Sequence, residues 1–146
     1  MNGEKSSTMS DGILLDTCAV IWMSQGEPVS DEAVNVLNQS YQAGNPVCVS
    51  AVTAWEMGML VAKGRLSETK SPQRWYDDFK REAEVIEQPV TADIFIASCF
   101  LPQLAHKDPI DRILITTARE HDLTIITRDR VILAYGEAGH VKTLAC

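Results

Sequence analysis

The stretch GILLDTCAVIW, residues 12–22, places an acid between two apolar segments. The first apolar run, ILL, is typical of a short buried strand, and the second resembles the apolar part of a helix. An unpaired buried carboxylate is costly, so Asp16 needs a hydrogen-bonding role or a bound cation. One interpretation is that Asp16 caps a helix beginning at Thr17. The other is that Asp16 belongs to a functional site.

Length and composition indicate one folded domain. The chain has 146 residues, of which 45% are hydrophobic and 23% charged, as in ordinary globular proteins. Residues 1–12, MNGEKSSTMSDG, lack the apolar centre of a signal peptide, so we predict a flexible N-terminal extension followed by a domain over 13–146. No apolar run is long enough to cross a membrane, and four scattered cysteines favour free thiols in a reducing compartment. We therefore expect a cytoplasmic protein.

Alternating strand and helix patterns predict the fold class. Apolar runs typical of buried strands occupy 13–16, 47–50, 85–88 and 124–127, with a weaker run near 140–144. Helical patterns occupy 30–44, 51–64, a segment that starts at 71, 91–101 and 108–121. Strands that are apolar on both faces and alternate with helices indicate a parallel sheet covered on both sides. The predicted fold is a three-layer α/β/α sandwich.

Four acids fall where a parallel sheet gathers functional residues. Asp16 and Asp129 each follow a predicted strand. Glu56 lies early in the helix after the second strand, and Asp111 lies at the start of the last long helix. Ligands of open parallel sheets bind beyond the carboxyl ends of the strands, so this topology can gather all four acids at one rim.

Each acid also has a purely structural interpretation. Asp16 and Asp129 can cap helices, and Asp108, which precedes a proline, is placed as the N-cap of the last long helix. Asp111 is only partly explained by the helix dipole, because Asp is too short to close a capping box well. Glu56 is the hardest to explain in this way, since its neighbours at helical spacing are mostly apolar.

Several partly buried carboxylates without matching bases indicate a hard divalent cation. Mg²⁺ and Mn²⁺ prefer oxygen ligands and bind through a few carboxylates plus a substrate phosphate. Such an ion can activate water for attack on a phosphodiester. No His pair is spaced for zinc, and no histidine is placed as an obvious general base. The net charge of −7 argues against a broad basic surface for nucleic acid, but bound cations can offset the acids locally.

Four motifs in order resemble those of one family. LLDTCAVIW (14–22) is similar to an opening strand with its acid, and VSAVTAWEMGMLVAKGRL (49–66) to a second motif, S-A-x-x-x-W-E. HKDPIDRILITTAREHDLTIITRD (106–129) is similar to D-P-x-D-R followed by a strand that ends T-x-D. On these motifs the chain resembles the PIN-domain ribonucleases, most closely the VapC-like toxins of prokaryotic toxin–antitoxin pairs. The resemblance extends from about Ile13 to Leu144.

The resemblance implies an activity and a set of residues. It implies an endoribonuclease toxin with an α/β/α sandwich, an RNA substrate, a cognate antitoxin and a homodimeric state. Carried over position by position, the catalytic and metal-binding acids are Asp16, Glu56, Asp111 and Asp129. The implied cofactor is Mg²⁺ (or Mn²⁺), and Thr127 corresponds to a hydroxyl residue that supports the site. Cys18 departs from the pattern, because many relatives have His there.

Basic and aromatic residues bear on the partners. Six basic residues near the acids fit a substrate phosphate or an antitoxin carboxylate, or are ordinary solvated surface: Lys63, Arg65, Lys107, Arg112, Arg128 and Arg130. Six of the aromatic residues are together more than the predicted strands need as cover: Trp22, Trp55, Trp75, Tyr76, Phe79 and Phe100. Homodimer faces are rich in such residues, so we expect a homodimer.

Two alternatives stay open. An aspartyl-phosphate phosphotransferase would use Asp16 as its nucleophile, because such enzymes also place an acid after the first strand. Such enzymes, however, have a second Asp two residues after the first, and this chain has Cys18 at that position. A metal-free interaction module would use the acids only as helix caps, although the presence of all four acids speaks against it.

Overall fold

One parallel sheet forms the centre of the protein. The computed structural model describes residues 12–66 and 69–146. Its five strands are β1 Gly12–Leu15, β2 Val47–Ser50, β3 Ile86–Gln88, β4 Leu123–Thr127 and β5 Lys142–Ala145. All neighbouring strands are parallel, in the order β3-β2-β1-β4-β5. The chain therefore builds outward from β1 in one direction and then in the other, which creates a switch point between β1 and β4.

Helices cover both faces of this sheet. Within the described ranges they are α1 Thr17–Ser24, α2 Asp31–Ala43, α3 Ala51–Ala62, α4 Pro72–Ala83, α5 Ala92–Ser98, α6 Pro109–His121 and α7 Arg130–Glu137. Ile13 and Leu15 face a core shared with α1, α2 and α4, whereas Leu14 faces a core shared with α5, α6 and α7. The predicted three-layer α/β/α sandwich is thereby confirmed. None of the described helices is long and apolar enough to cross a bilayer.

Helix α3 joins the two cores. It contributes Val52 to the core on one face of the sheet and Met57 to the core on the other. The N-cap of α3 is Ser50, the last residue of β2, whose hydroxyl accepts a hydrogen bond from the Val52 N–H at 3.0 Å. Because α3 starts directly at the end of β2, its first two turns lie at the carboxyl edge of the sheet. Glu56 is in the second of these turns.

The ends of the elements differ from the predicted ones by a few residues. β1 begins at Gly12, which the prediction assigned to the N-terminal extension. A Cβ at Gly12 would lie 2.6 Å from the Pro46 carbonyl oxygen and 2.8 Å from Leu123 Cδ2, so close strand packing requires glycine here. β5 ends at Ala145, one residue later than predicted. Residues 1–11, the rest of the predicted extension, lie outside the described residues.

Three of the six aromatic residues that led us to expect a homodimer lie in the core. Trp75, Tyr76 and Phe79 of α4 are buried in the core that α4 shares with β1 and β2. Trp55 and Phe100 are exposed, at 55% and 79% of their surface. Only part of this aromatic set is therefore available at the surface to contact a second copy of the chain.

Candidate functional site

The four predicted acids line one cleft. Asp16, Glu56, Asp111 and Asp129 border a cavity of about 310 Å³ at the carboxyl ends of β1 and β4. Asp108 also lines this cleft. The location is the switch point of the sheet, where open parallel sheets bind their ligands. The fold thus brings together residues that lie far apart in the sequence.

Asp16 is both a helix cap and the most buried acid of the cleft. It is 6% exposed, and its Oδ1 accepts a hydrogen bond from the Thr17 N–H at 2.6 Å as the N-cap of α1. Its Oδ2 accepts a hydrogen bond from the Thr127 hydroxyl at 2.5 Å. Burial raises the pKa of Asp16, the hydrogen bonds oppose this rise, and the nearby charge of Asp129 adds to it. The two interpretations of Asp16 are therefore compatible.

Thr127 connects two of the acids. It is the last residue of β4 and is fully buried. Its hydroxyl donates to Asp16 and accepts a hydrogen bond from the Asp129 N–H at 2.9 Å. The Asp129 carboxylate in turn accepts from the Val131 and Ile132 N–H groups at 2.9 and 3.0 Å, as the N-cap of α7. Each part of the T-x-D motif thus has a defined hydrogen-bonding role.

Glu56 is half-buried beside two hydroxyl residues. The hydroxyl groups of Thr17 and Thr53 lie 3.0 Å apart, and Thr17 also hydrogen-bonds to Glu56. Burial raises the pKa of Glu56, and the negative charges of Asp16, Asp108 and Asp129 raise it further. Thr17 is a residue of the site that was not predicted, because a hydroxyl residue after an acid has many local uses.

Two acids lie at the start of α6. Asp108 caps the helix, accepting a hydrogen bond from the Ile110 N–H at 2.9 Å, as predicted from the following proline. Asp111 lies in the first turn, with its side chain 13% exposed. Burial raises the pKa of Asp111 to about 6, and the neighbouring acids add to this rise.

His106 is a residue of the site that the sequence analysis missed. Its Nε2 lies 2.8 Å from Oδ2 of Asp111, and this hydrogen bond opposes the rise in the carboxyl pKa. The ligand atoms of His106, Asp108 and Asp111 all lie within 4.8 Å of one another. His106 precedes α6 in a loop, so no helical spacing links it to Asp111. The one signal in the sequence was its closeness to the D-P-x-D-R motif.

The predicted basic residues have different surroundings. Of the six, Arg128 lines the cleft, but its guanidinium lies 3.7 Å from the centre of the Trp22 ring and donates to the carbonyl oxygens of Pro28 and Cys146. Arg112 donates to three carbonyl oxygens, of Ser98, Leu104 and His106. Arg112 therefore holds the loop before α6 and is not free to bind a phosphate.

Cys18 also lines the cleft. Its thiol lies 3.5 Å from Oδ2 of Asp16 and donates to it. Burial and the charge of Asp16 raise the pKa of Cys18 to about 12. The thiol is therefore protonated at neutral pH, which argues against its use as a nucleophile.

The donor set fits a hard divalent cation. In the described ranges, Asp16, Glu56 and Asp129 form no ion pair with a Lys or Arg side chain. The charge of Asp129 raises the pKa of Asp16 and of Glu56, and the charge of Asp16 also raises the pKa of Glu56, so the cleft gathers negative charge that the protein itself does not compensate. Carboxylate oxygens are the ligands that Mg²⁺ and Mn²⁺ prefer. These residues therefore suit such an ion chemically.

Comparisons with known proteins show what this chain is similar to. The PIN domain family profile matches residues 13–138. Ribonuclease VapC22 of Mycobacterium tuberculosis (strain ATCC 25618 / H37Rv) is 24% identical over 118 residues, which cover 81% of this chain and 87% of that protein.

Solved structures share the fold. A chain in the crystal structure of VapBC2 from Rickettsia felis bound to a promoter DNA fragment has a TM-score of 0.67 at 15% identity, covering 92% of this chain and 98% of its own. A chain of DNA-bound VapBC from Salmonella typhimurium has a TM-score of 0.63 at 16% identity, covering 92% of this chain and 98% of its own. At such identities the likeness concerns the fold.

Proposed function

This chain belongs to the PIN domain family, and on that premise we propose that it is a Mg²⁺-dependent endoribonuclease that acts as the toxin of a toxin–antitoxin pair. The observation that carries the proposal is the cleft in which Asp16, Glu56, Asp111 and Asp129 meet without a Lys or Arg partner among the described residues. A nuclease needs a place where divalent cations and a phosphodiester can meet, and uncompensated carboxylates provide one. The similarity to a protein named ribonuclease VapC22 supports the same activity.

These four acids are the residues that would hold Mg²⁺ (or Mn²⁺). When bound, the cation supplies the positive charge that polarises a water for attack and offsets charge on the phosphodiester. The protein's own contribution is to hold the acids in place. Thr127 holds Asp16 at the end of β1, and Thr17 hydrogen-bonds to Glu56 on α3. Hydrogen bonds of this kind orient ligands before the cation arrives.

The proposed substrate is RNA, and the acidic cleft can bind RNA only when a divalent cation is present. The chain carries a net charge of −7, so the rim acids repel a phosphate backbone in the absence of divalent ions. Arg128, the basic residue at the rim, is already engaged with Trp22 and two carbonyl oxygens. We therefore expect RNA affinity and cleavage to appear together with the cation.

A protein partner and a location complete the proposal. Structures named VapBC resemble this chain over nearly its whole length, which supports a cognate antitoxin as a partner. We also propose a cytoplasmic location, where RNA is available and the four unpaired cysteines would stay reduced.

A homodimer is supported by an apolar surface on α5 and the turn that follows it. Phe95, Ile96 and Phe100 lie close together in the chain and are 52%, 62% and 79% exposed. We propose that a second copy covers this surface, because such a group of large apolar residues is costly to leave in water. Light scattering should give about twice the chain mass of 16.1 kDa. Ile96→Ser should shift the mass toward one chain, whereas Val34→Ser, a partly exposed control on α2, should leave the dimer unchanged.

The activity is tested by binding and cleavage of RNA in EDTA, Ca²⁺ and Mg²⁺. The wild type should bind RNA poorly in EDTA, bind it in Ca²⁺, and cleave it in Mg²⁺, because Ca²⁺ has the charge but a looser geometry. Asp16→Asn should lose cleavage and keep its fold by circular dichroism, and Asp93→Asn, an exposed acid on α5, should retain activity. Equal RNA binding in EDTA together with full cleavage by Asp16→Asn would refute the assignment.

A further inference from the structure

Asp111 depends on His106 for its orientation. In the described part of the chain, the hydrogen bond from His106 is the one that the Asp111 carboxylate receives, and it engages Oδ2 alone. We propose that His106 is a positioning residue of the cation site, which holds Oδ2 of Asp111 so that Oδ1 stays available to the cation. This inference rests on the proposed function. It concerns a residue other than those to which the family resemblance gives a role, the four acids and Thr127.

The other acids at this end of the sheet are held differently. Asp16 accepts from a backbone N–H and from the Thr127 hydroxyl. Asp129 accepts from two backbone N–H groups, and Asp108 accepts from the N–H groups of the helix that it caps. Asp111 lies inside the first turn of α6 and has no such donor among the described residues. Its carboxylate would be free to rotate away from its acidic neighbours without His106.

The imidazole can fulfil this role because of its chemistry and its surroundings. An ionised carboxylate only accepts hydrogen bonds, so Nε2 of His106 carries the proton and donates it. The His106 side chain is 28% exposed and the Asp111 side chain 13%, so the hydrogen bond is shielded from water on most sides. A shielded hydrogen bond to an acid that binds metal both orients the carboxylate and adjusts its basicity.

The backbone at His106 is fixed as well. Arg112, the residue after Asp111, donates through Nη1 to the carbonyl oxygens of His106 and Leu104 at 2.8 and 3.0 Å. Its Nε donates to the Ser98 carbonyl oxygen at 2.7 Å. The loop that carries His106 is thereby attached to the helix that carries Asp111. The imidazole and the carboxylate are held in register by two neighbouring residues of one helix.

The test compares two variants of similar bulk. His106→Gln keeps an N–H donor, whereas His106→Leu removes it, and His106→Ala is a second donor-free variant in case the leucine side chain impairs folding. Mn²⁺ binding is measured by isothermal titration calorimetry, with His121→Ala at the exposed far end of α6 as the control. We expect the donor-free variants to bind Mn²⁺ about 10- to 100-fold more weakly. The Gln variant should stay close to the wild type, and the control should match it.

A spectroscopic measurement separates positioning from direct ligation. Electron spin-echo modulation of the Mn²⁺-loaded wild type should show no nitrogen bound directly to the ion, because the imidazole contacts Asp111 and not the cation. Directly bound imidazole nitrogen, absent from both the Leu and the Gln variants, would overturn the positioning role. Equal Mn²⁺ affinity of the wild type and the donor-free variants would also overturn it while leaving the proposed nuclease intact. Absence of Mn²⁺ binding by the wild type would instead refute the cation site of the proposed function.

Discussion

Neutralising Asp111 should stabilise the protein when no divalent cation is present. Burial raises the pKa of this carboxyl from 3.8 to about 6 in the folded protein. At about 1.4 kcal/mol per pH unit, its ionisation costs the folded state about 3 kcal/mol at neutral pH. Asp111→Asn removes this cost but also loses a favourable interaction with the helix dipole, worth about 0.3–1 kcal/mol. We expect a net gain of about 2 kcal/mol in the free energy of unfolding.

The gain should depend on pH in a defined direction. Between pH 3.8 and about 6 the folded wild type binds more protons than the unfolded chain, so its stability falls as pH rises through this range. The side-chain amide introduced by Asp111→Asn does not titrate, so the stability difference should be fully present at about pH 7–8 and absent near pH 4. The hydrogen bond from His106 should survive, because the amide oxygen of an asparagine can accept it.

The assay is urea and thermal unfolding of the two proteins in EDTA at both pH values. A net gain of about 2 kcal/mol corresponds to a rise in Tm of about 4–8 °C for a chain of this size. Asp93→Asn, in the first turn of α5 and exposed, is the matched control and should lose a little stability through the dipole alone. Adding Mg²⁺ should stabilise the wild type and not Asp111→Asn. The reasoning would be refuted if Asp111→Asn were no more stable than the wild type at about pH 8. It would also be refuted if the variant exceeded the wild type in stability by the same amount near pH 4 as at about pH 8.

Three further substitutions test the supports of the site and sheet. Thr127→Val keeps the shape of the buried side chain but removes the hydroxyl that donates to Asp16. The free energy of unfolding, measured in urea, should therefore fall by about 2 kcal/mol. An unchanged value would contradict the role of the hydroxyl. Arg112→Met leaves three carbonyl oxygens without their hydrogen-bond donor, so the free energy of unfolding should fall by about 3 kcal/mol. Amide hydrogen exchange in the loop before α6 should become faster. Unchanged exchange would contradict the role of Arg112 in holding this loop. Gly12→Ala should lower Tm, since a Cβ would lie 2.6 Å from the Pro46 carbonyl oxygen, and a Tm equal to the wild type would show that the strands can separate there.

The acidic cleft and the exposed apolar surface differ in how far the sequence could predict them. Asp16, Asp111 and Asp129 were predictable because each lies where a helix begins, and such positions can be read from local patterns. The set of aromatic residues was a poorer guide, because Trp75, Tyr76 and Phe79 are buried in the core of the chain. Which apolar residues stay at the surface depends on how α4 and α5 pack, and local sequence carries no such information.

The sequence by itself determined the fold class and the positions of the four acids. Apolar runs that are buried on both faces, alternating with helical patterns, leave few arrangements other than a covered parallel sheet. The caps made by Asp16, Asp108 and Asp129 are also local, since each bonds within three residues of itself. Local chemistry of this kind can be read from neighbouring residues alone.

Only the tertiary structure decided how these acids are held and what surrounds them. β1 pairs with β4, which places the Thr127 hydroxyl on Asp16 across 111 residues of sequence. Arg112 lies near the acids in sequence but points to three carbonyl oxygens, and His106 reaches Asp111 from a loop without periodicity. The physical reason is that a hydrogen bond depends on distance and direction in space, which strand pairing and loop closure set and residue spacing does not.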